Sequence, residues 1–226
     1  MSFLKNIKQD VEYAEYKLFY DLITKENKKF NITSIENERE FFIKNVQDCI
    51  YGCELYDSGS KILEIGSGGG FPSVPVKIKR KDLSFTLVES NEKKVNFLKK
   101  IKEIFNFEDF DCILGRAEEL SKKEEMRERF DYGIARAVAP LNVLCELLLP
   151  FIRAGGKMVA YKGKNYKEEL SAAENAIYAL GGKASDIIEY ELDEGFGKRA
   201  LVIIEKVKKT DEKYPRRFAK IKKDPL

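Results

Sequence analysis

The stretch KILEIGSGGGFP sets Gly66, Gly68, Gly69 and Gly70 directly behind a short apolar run. Residues without a side chain let the backbone turn sharply and let a ligand approach it closely at the carboxyl end of a strand. About 20 residues further on, a second apolar run closes on Glu89, where a carboxylate can accept hydrogen bonds from both hydroxyls of a ribose. Glycines alone also fit a plain strand-to-helix turn that needs positive φ. Strand, loop and spaced carboxylate in this order point to a nucleoside-containing ligand.

Other chemistry is excluded by composition. The 226 residues include no histidine, which removes Ser-His-Asp and Cys-His hydrolases together with zinc or haem sites built on imidazole. Cys49, Cys53, Cys112 and Cys145 form no C-x-x-C pair, and the opening MSFLKNIKQD is unlike a signal peptide, so free thiols and a cytoplasmic protein are expected. No apolar run approaches the roughly 18 to 20 residues that cross a bilayer. The 43% hydrophobic content is enough for a core, and 41 basic against 38 acidic side chains leave a net charge of only +3. Any signal for a nucleic acid must therefore be local.

The elements that position these residues follow from periodicity. Phe3, Ile7, Val11, Ala14, Leu18 and Leu22 predict one amphipathic helix over 2–25, with Ser2 as its cap. After the FNIT turn (30–33), Phe42, Val46 and Ile50 predict a second helix over 35–51. Turn residues at 56–60 mark a boundary, beyond which strands are expected at 61–65, 84–89, 109–114, 131–135, 157–161, 187–192 and 200–207. Helical stretches separate the first five, the pattern of βαβ units and a parallel sheet. The last two are separated only by 193–199, too few residues for a parallel crossover, so they pair antiparallel. The predicted organisation is a helical extension (1–55), an α/β domain (56–207) and a basic tail (208–226).

The G-x-G-x-G pattern followed by Phe71-Pro72 lacks the final glycine spacing with which dinucleotide folds cradle pyrophosphate, and no G-x-x-x-x-G-K-[ST] is present. S-adenosylmethionine has no phosphates to cradle. The glycines, the ribose-binding carboxylate and the antiparallel final hairpin all suit that cofactor better than NAD. The expected fold is a Rossmann-like methyltransferase: a mostly parallel seven-stranded sheet with an antiparallel last strand, plus N-terminal helices.

From about Phe30 onward the chain resembles the glucose-inhibited division protein B family, bacterial enzymes that methylate nitrogen 7 of a guanine in 16S small-subunit ribosomal RNA. The resemblance rests on FNIT, LEIGSGGGFPSVP, LVESNEKKVNFL, GRAEEL, FDYGIARAVAPL, GGKMVAYKG, YPRR and KKDPL taken together. It implies cofactor contacts at Gly66 and Phe71, at Ala117 and Glu118, and at Arg136. Gly68 joins them from the glycine loop and Glu89 from ribose chemistry. Ala117 and Glu118 also suit an ordinary helix start. Arg136, at the carboxyl end of a strand, suits the methionine carboxylate or an RNA phosphate, with a salt bridge to Glu89 or Glu118 as the structural alternative. In IKNVQDC, Asn45 stands where the family usually has His, while Asp48 matches the family but equally fits an exposed helical carboxylate.

Guanine nitrogen 7 has an in-plane lone pair and no proton to lose, so this chemistry needs alignment and shielding rather than a general base. The sequence lacks the [ND]-P-P-[YF] motif of exocyclic-amine methylation and a Pro-Cys nucleophile. No covalent or acid–base catalyst is expected, and Arg136 is the candidate for positioning the base. On the RNA side, residues 206–226 hold nine Lys and Arg against three Asp and Glu, a local +6. Tyr214 and Phe218 are available there for stacking, and a solvated terminal tail is the simpler alternative. Arg216 and Arg217 in YPRR, Lys162 in the YKG turn and Asn31 are the candidate RNA contacts. The expected partner is small-subunit ribosomal RNA or the assembling small subunit, met by a monomer, at a loop or unstacked nucleotide rather than a regular stem.

Overall fold

The structure is a computed structural model that describes residues 3–29, 31–34 and 37–226. Ser2, Phe30 and Ile35, which enter the sequence expectations above, lie outside the described residues. Helices α1 (Phe3–Ile7), α2 (Tyr13–Asn27) and α3 (Glu38–Glu40) come first. A π-helical stretch Phe41–Gln47 then runs without a break into α4 (Asp48–Ile50). The α/β part comprises β1 (Lys61–Ile65), α5 (Ser73–Lys79), β2 (Ser84–Glu89), α6 (Glu92–Ile104), β3 (Phe110–Leu114), α7 (Ala117–Leu120) and β4 (Phe130–Arg136). It continues through α8 (Leu141–Leu148), β5 (Ile152–Lys162), α9 (Tyr166–Ala172), α10 (Glu174–Ala179), β6 (Gly182–Leu192) and β7 (Gly197–Lys206) to α11 (Phe218–Lys223).

The seven strands form one sheet in the order β3-β2-β1-β4-β5-β7-β6. Strands β1 to β5 are parallel, and β7 runs antiparallel to both β5 and β6, as the short 193–199 connection required. Alternation along the strands divides the core. Ile62, Leu87, Ile134, Val159 and Leu201 face one side, packed with the N-terminal helices and α5. Leu63, Val88, Ala135, Ala160 and Val202 face the other, packed with α8 and α10. Because the chain leaves β1 in one direction toward β2 and β3 and returns to β4 on the other side, the β1/β4 edge is the switch point at which open α/β sheets hold ligands. Among the described residues no helix is long and apolar enough to cross a membrane.

The helix predicted over 2–25 is instead two helices. The chain turns at 8–12, held by Gln9 N–H on the Asn6 carbonyl and Tyr13 N–H on the Asp10 carbonyl, and Val11 is left 91% exposed. In α2 the buried residues are Tyr16, Phe19 and Ile23 rather than Ala14 and Leu18. Aromatic volume decides this choice, since Phe19 meets the rings of Phe41, Phe71 and Phe105 at 5.3 to 6.5 Å between centroids. The second predicted helix starts at Glu38, where Asn37 caps it by accepting the Glu40 N–H.

Candidate active site

The loop behind β1 is built as its glycines suggest. Gly66, Gly68 and Gly70 have φ of +63°, +54° and +91°, backbone that side chains disfavour. The Gly66 N–H donates to the Val88 carbonyl at 2.8 Å, and the Gly68 N–H donates to Glu89 Oε2 at 2.9 Å. Glu89 therefore shapes the glycine loop, and its other oxygen accepts the Asn91 N–H at 2.9 Å, just before Asn91 caps α6. Each carboxylate oxygen retains a further lone-pair site for a ribose hydroxyl. Just beyond β3 the Gly115 N–H donates to the Glu89 carbonyl at 3.0 Å, which brings the start of α7, with Ala117 and Glu118, alongside.

Two neighbours close over this loop. A Cβ on Gly69 would lie 2.5 Å from Ile32, and one on Gly66 would lie 2.8 Å from Val138. The segment after α2, with exposed Asn31, and the loop after β4 are thus packed directly on the glycines. Asn27 fixes the first of these by accepting the N–H groups of Ile32 and Thr33 at 2.7 and 3.1 Å.

Glu64, in the middle of β1, is a functional candidate that the sequence reading passed over. It is fully buried, accepts the Ser73 N–H at 3.1 Å and the Ser73 hydroxyl on Oε2, and leaves Oε1 without a partner. Burial pushes its carboxyl up to about 8 against the Ser73 hydrogen bonds, which pull it down. An orphaned carboxylate oxygen beneath a ligand loop suits a cationic group. The signal was present in the sequence as an acid inside an otherwise apolar strand.

Arg136, at the end of β4, pairs with neither Glu89 nor Glu118. Its Nη1 donates to Asp48 Oδ2 at 2.7 Å and to the Lys44 carbonyl at 2.8 Å, and its Nη2 donates to Asn45 Oδ1. The guanidinium lies 5.4 Å from the centre of the Phe71 ring. Asp48 is not an exposed helical acid, being 3% exposed and accepting the Tyr190 hydroxyl at 2.6 Å on its other oxygen. The π-helical stretch aligns the Lys44 carbonyl, Asn45 and Asp48 toward one arginine, an irregularity of the kind often found at functional sites. Sequence alone could not locate this partner, because Asp48 and Arg136 are 88 residues apart.

Beside Arg136 opens a cavity of about 530 Å³ walled by Ala137, Val138, Ala139, Lys162 and Glu169. Ala137 has φ of +57°, a left-handed conformation that costs a non-glycine residue about 1 to 2 kcal/mol. Lys162 Nζ donates to the Ala139 carbonyl at 2.8 Å and to Glu169 at 2.6 Å. It therefore braces the β4 loop from β5. The cavity can admit a base next to the cofactor loop. Burial pushes the Cys53 and Cys145 thiols up to about 12 and Cys112 to about 11, which leaves them as poor nucleophiles.

The basic tail is docked rather than free. The Arg216 guanidinium and N–H all bond the buried Glu146, at 2.7 to 3.2 Å. Arg127 donates to the carbonyls of Thr210, Asp211 and Tyr214. Arg216 thus anchors the tail, while Arg217 is exposed. Phe218 lies 5.9 Å from the Arg116 guanidinium beside Ala117. The structure brings Gly66, Gly68, Phe71, Glu89 and Arg136 to one edge and sets Arg216 apart from them.

Comparison with known proteins agrees with this geometry. The model of the GidB family, rRNA small subunit methyltransferase G, matches residues 12–196. The ribosomal RNA small subunit methyltransferase G of Clostridium botulinum (strain Loch Maree / Type A3) is 40% identical over 96% of this chain and 92% of its own. That of Caldanaerobacter subterraneus subsp. tengcongensis is 40% identical over 93% and 89%. Among solved structures, M. jannaschii TYW2 in complex with AdoMet superposes with a TM-score of 0.59 at 13% identity, covering 78% of this chain and 81% of that one. The [4+2]-cyclase SpnF superposes at 0.57 and 12% identity, covering 72% and 81%. These structural likenesses show the fold alone. The near-full-length sequence match goes further: the chain belongs to the rRNA small subunit methyltransferase G family.

Proposed function

We propose that this chain transfers the methyl group of S-adenosylmethionine to nitrogen 7 of a guanine in 16S ribosomal RNA, free or within the assembling small subunit. The observation that carries the reading is the 40% identity spanning 96% of the chain, together with the glycine loop, Glu89, Arg136 and Lys162 at one sheet edge. The bound cofactor supplies an electrophilic methyl on a sulfonium. Gly66, Gly68 and Phe71 would form its floor, Glu89 would hold the ribose, Ala117 and Glu118 would bracket the adenine, and Glu64 would answer its ammonium group. Arg136 is a positioning residue: its donors on Asp48, Lys44 and Asn45 fix the N-terminal helices against the acceptor cavity. Lys162 lines that cavity, and exposed Asn31, next to the Ile32 that packs on Gly69, is the further candidate RNA contact.

Nitrogen 7 presents its lone pair without deprotonation, so alignment and exclusion of water supply the acceleration. This fits a site with no histidine and with thiols held neutral. In this reading residues 1–55 wall the acceptor side, 56–207 hold the cofactor, and 208–226 form a docked tail whose exposed Arg217 meets RNA. The protein works in the cytoplasm as a monomer. The test is transfer of labelled methyl from S-adenosylmethionine to 16S RNA and to small subunits from cells lacking the protein, followed by nucleoside mapping. N7-methylguanosine at one position is expected. Label on another atom, or none on either acceptor, overturns the reading.

A further inference from the structure

A second concavity, of about 440 Å³, adjoins the acceptor cavity. Its walls come from the start of α9 and the open side of the β6–β7 hairpin, and Arg199 lines both cavities. Four cations face it: Lys164, Lys167, Lys198 and Arg199. Lys164 and Lys198 are exposed and have no ion pair among the described residues. Lys167 reaches Glu189 only at 3.6 Å, and both are largely exposed, a pairing that water and salt weaken readily. Glu191, opposite Lys198 in the strand ladder, also lines the space, and Arg199 lies 3.9 Å from Asp48, so the four cations exceed the two lining acids by +2, with Arg199 paired beyond the groove and Lys164 and Lys198 the cations without an ion pair among the described residues.

The same groove holds an aromatic step. Tyr190 lines it and stacks on Tyr51 with centroids 3.8 Å apart and planes at 9°, while Tyr51 remains 46% exposed. The Tyr190 hydroxyl bonds Asp48, which bonds Arg136, so the groove floor and the acceptor cavity share one rigid hydrogen-bonded chain. Exposed cations in excess of acids, beside an aromatic surface, are the features with which proteins follow a single-stranded phosphodiester backbone.

We propose that this groove receives the phosphodiester backbone of the acceptor RNA beside the target guanine, with Lys164 and Lys198 as phosphate contacts. The proposal rests on the ribosomal RNA reading and adds the route by which the strand enters. It moves the main electrostatic contact from the tail, where Arg216 is occupied by Glu146, to the β6–β7 hairpin.

The test compares the full-length protein with K164Q/K198Q and with the tail variant R217Q/K222Q/K223Q on 16S ribosomal RNA lacking the modification. For two lost contacts, the drop in affinity between about 50 and 200 mM salt should be roughly 7- to 12-fold smaller than for the unaltered protein, from a slope of ~0.7 to 0.9 per phosphate. The KM for RNA should rise in K164Q/K198Q while kcat and the calorimetric affinity for S-adenosylmethionine stay unchanged. An unchanged KM and salt slope in that variant, with both altered in the tail variant, overturns the groove. If the unaltered protein labels no RNA, the methyltransferase reading falls first and the groove with it.

Discussion

Replacing Glu64 with Gln isolates one buried charge. In the folded protein burial holds this carboxyl protonated up to about 8, whereas its ordinary value is 4.5. Between those values the folded state keeps a proton that the unfolded chain has released, so Glu64 makes stability fall as pH rises. The slope for one group is about 1.4 kcal/mol per pH unit, or roughly 2.7 kcal/mol between about pH 5.5 and 7.5. Gln has nearly the same shape, can still accept from Ser73, and does not titrate. The stability of E64Q minus that of the unaltered protein should therefore grow by about that amount over the interval, with all other groups cancelling in the difference. Urea unfolding of both proteins at the two pH values measures it. Calorimetry should show the reverse cost, a weaker affinity of E64Q for S-adenosylmethionine, because an approaching ammonium group draws Glu64 into its charged form, which Gln cannot adopt. A stability difference constant within ~0.5 kcal/mol would refute the assignment of a buried proton to this residue.

Arg136→Ala should lower methyl transfer at least ~100-fold and destabilise the protein by about 3 to 5 kcal/mol, because buried Asp48 loses its cation. Arg136→Lys, which keeps the charge but not the planar fork, should recover stability more than turnover. Arg216→Ala should cost a similar ~3 to 5 kcal/mol by stranding Glu146, with little effect on cofactor affinity, as read by thermal unfolding and calorimetry. Gly70→Ala combines φ of +91° with a Cβ 2.5 Å from Val74; a loss of at least ~1 kcal/mol and weakened cofactor binding are expected.

The sheet was legible because its central strands are buried on both faces and read as short apolar runs: β1 and β2 begin and end where the pattern placed them. Edge and entry segments were not. Strand β6 begins at Gly182, five residues before the predicted Ile187, since Lys183 to Asp186 are exposed and held by backbone pairing with β7 rather than by burial. Strand β5 extends back to Ile152 through Arg153 and two glycines, again without an apolar signal. At the site, the glycine loop and Glu89 could be read because they are close in sequence to the strands that carry them. The Arg136–Asp48–Tyr190 chain, with Asp48 bonded to both others, joins positions 88 and 142 residues apart, so no local pattern could announce it.

That chain ties the completion of the site to the last strands of the sheet. Tyr190 comes from the last quarter of the polypeptide, yet through Asp48 it braces an arginine that also grips the first quarter. During synthesis the cofactor loop and β4 are made long before the hairpin that completes the wall. A chain cut short before β6 would therefore lack this brace even with every proposed cofactor-binding residue in place.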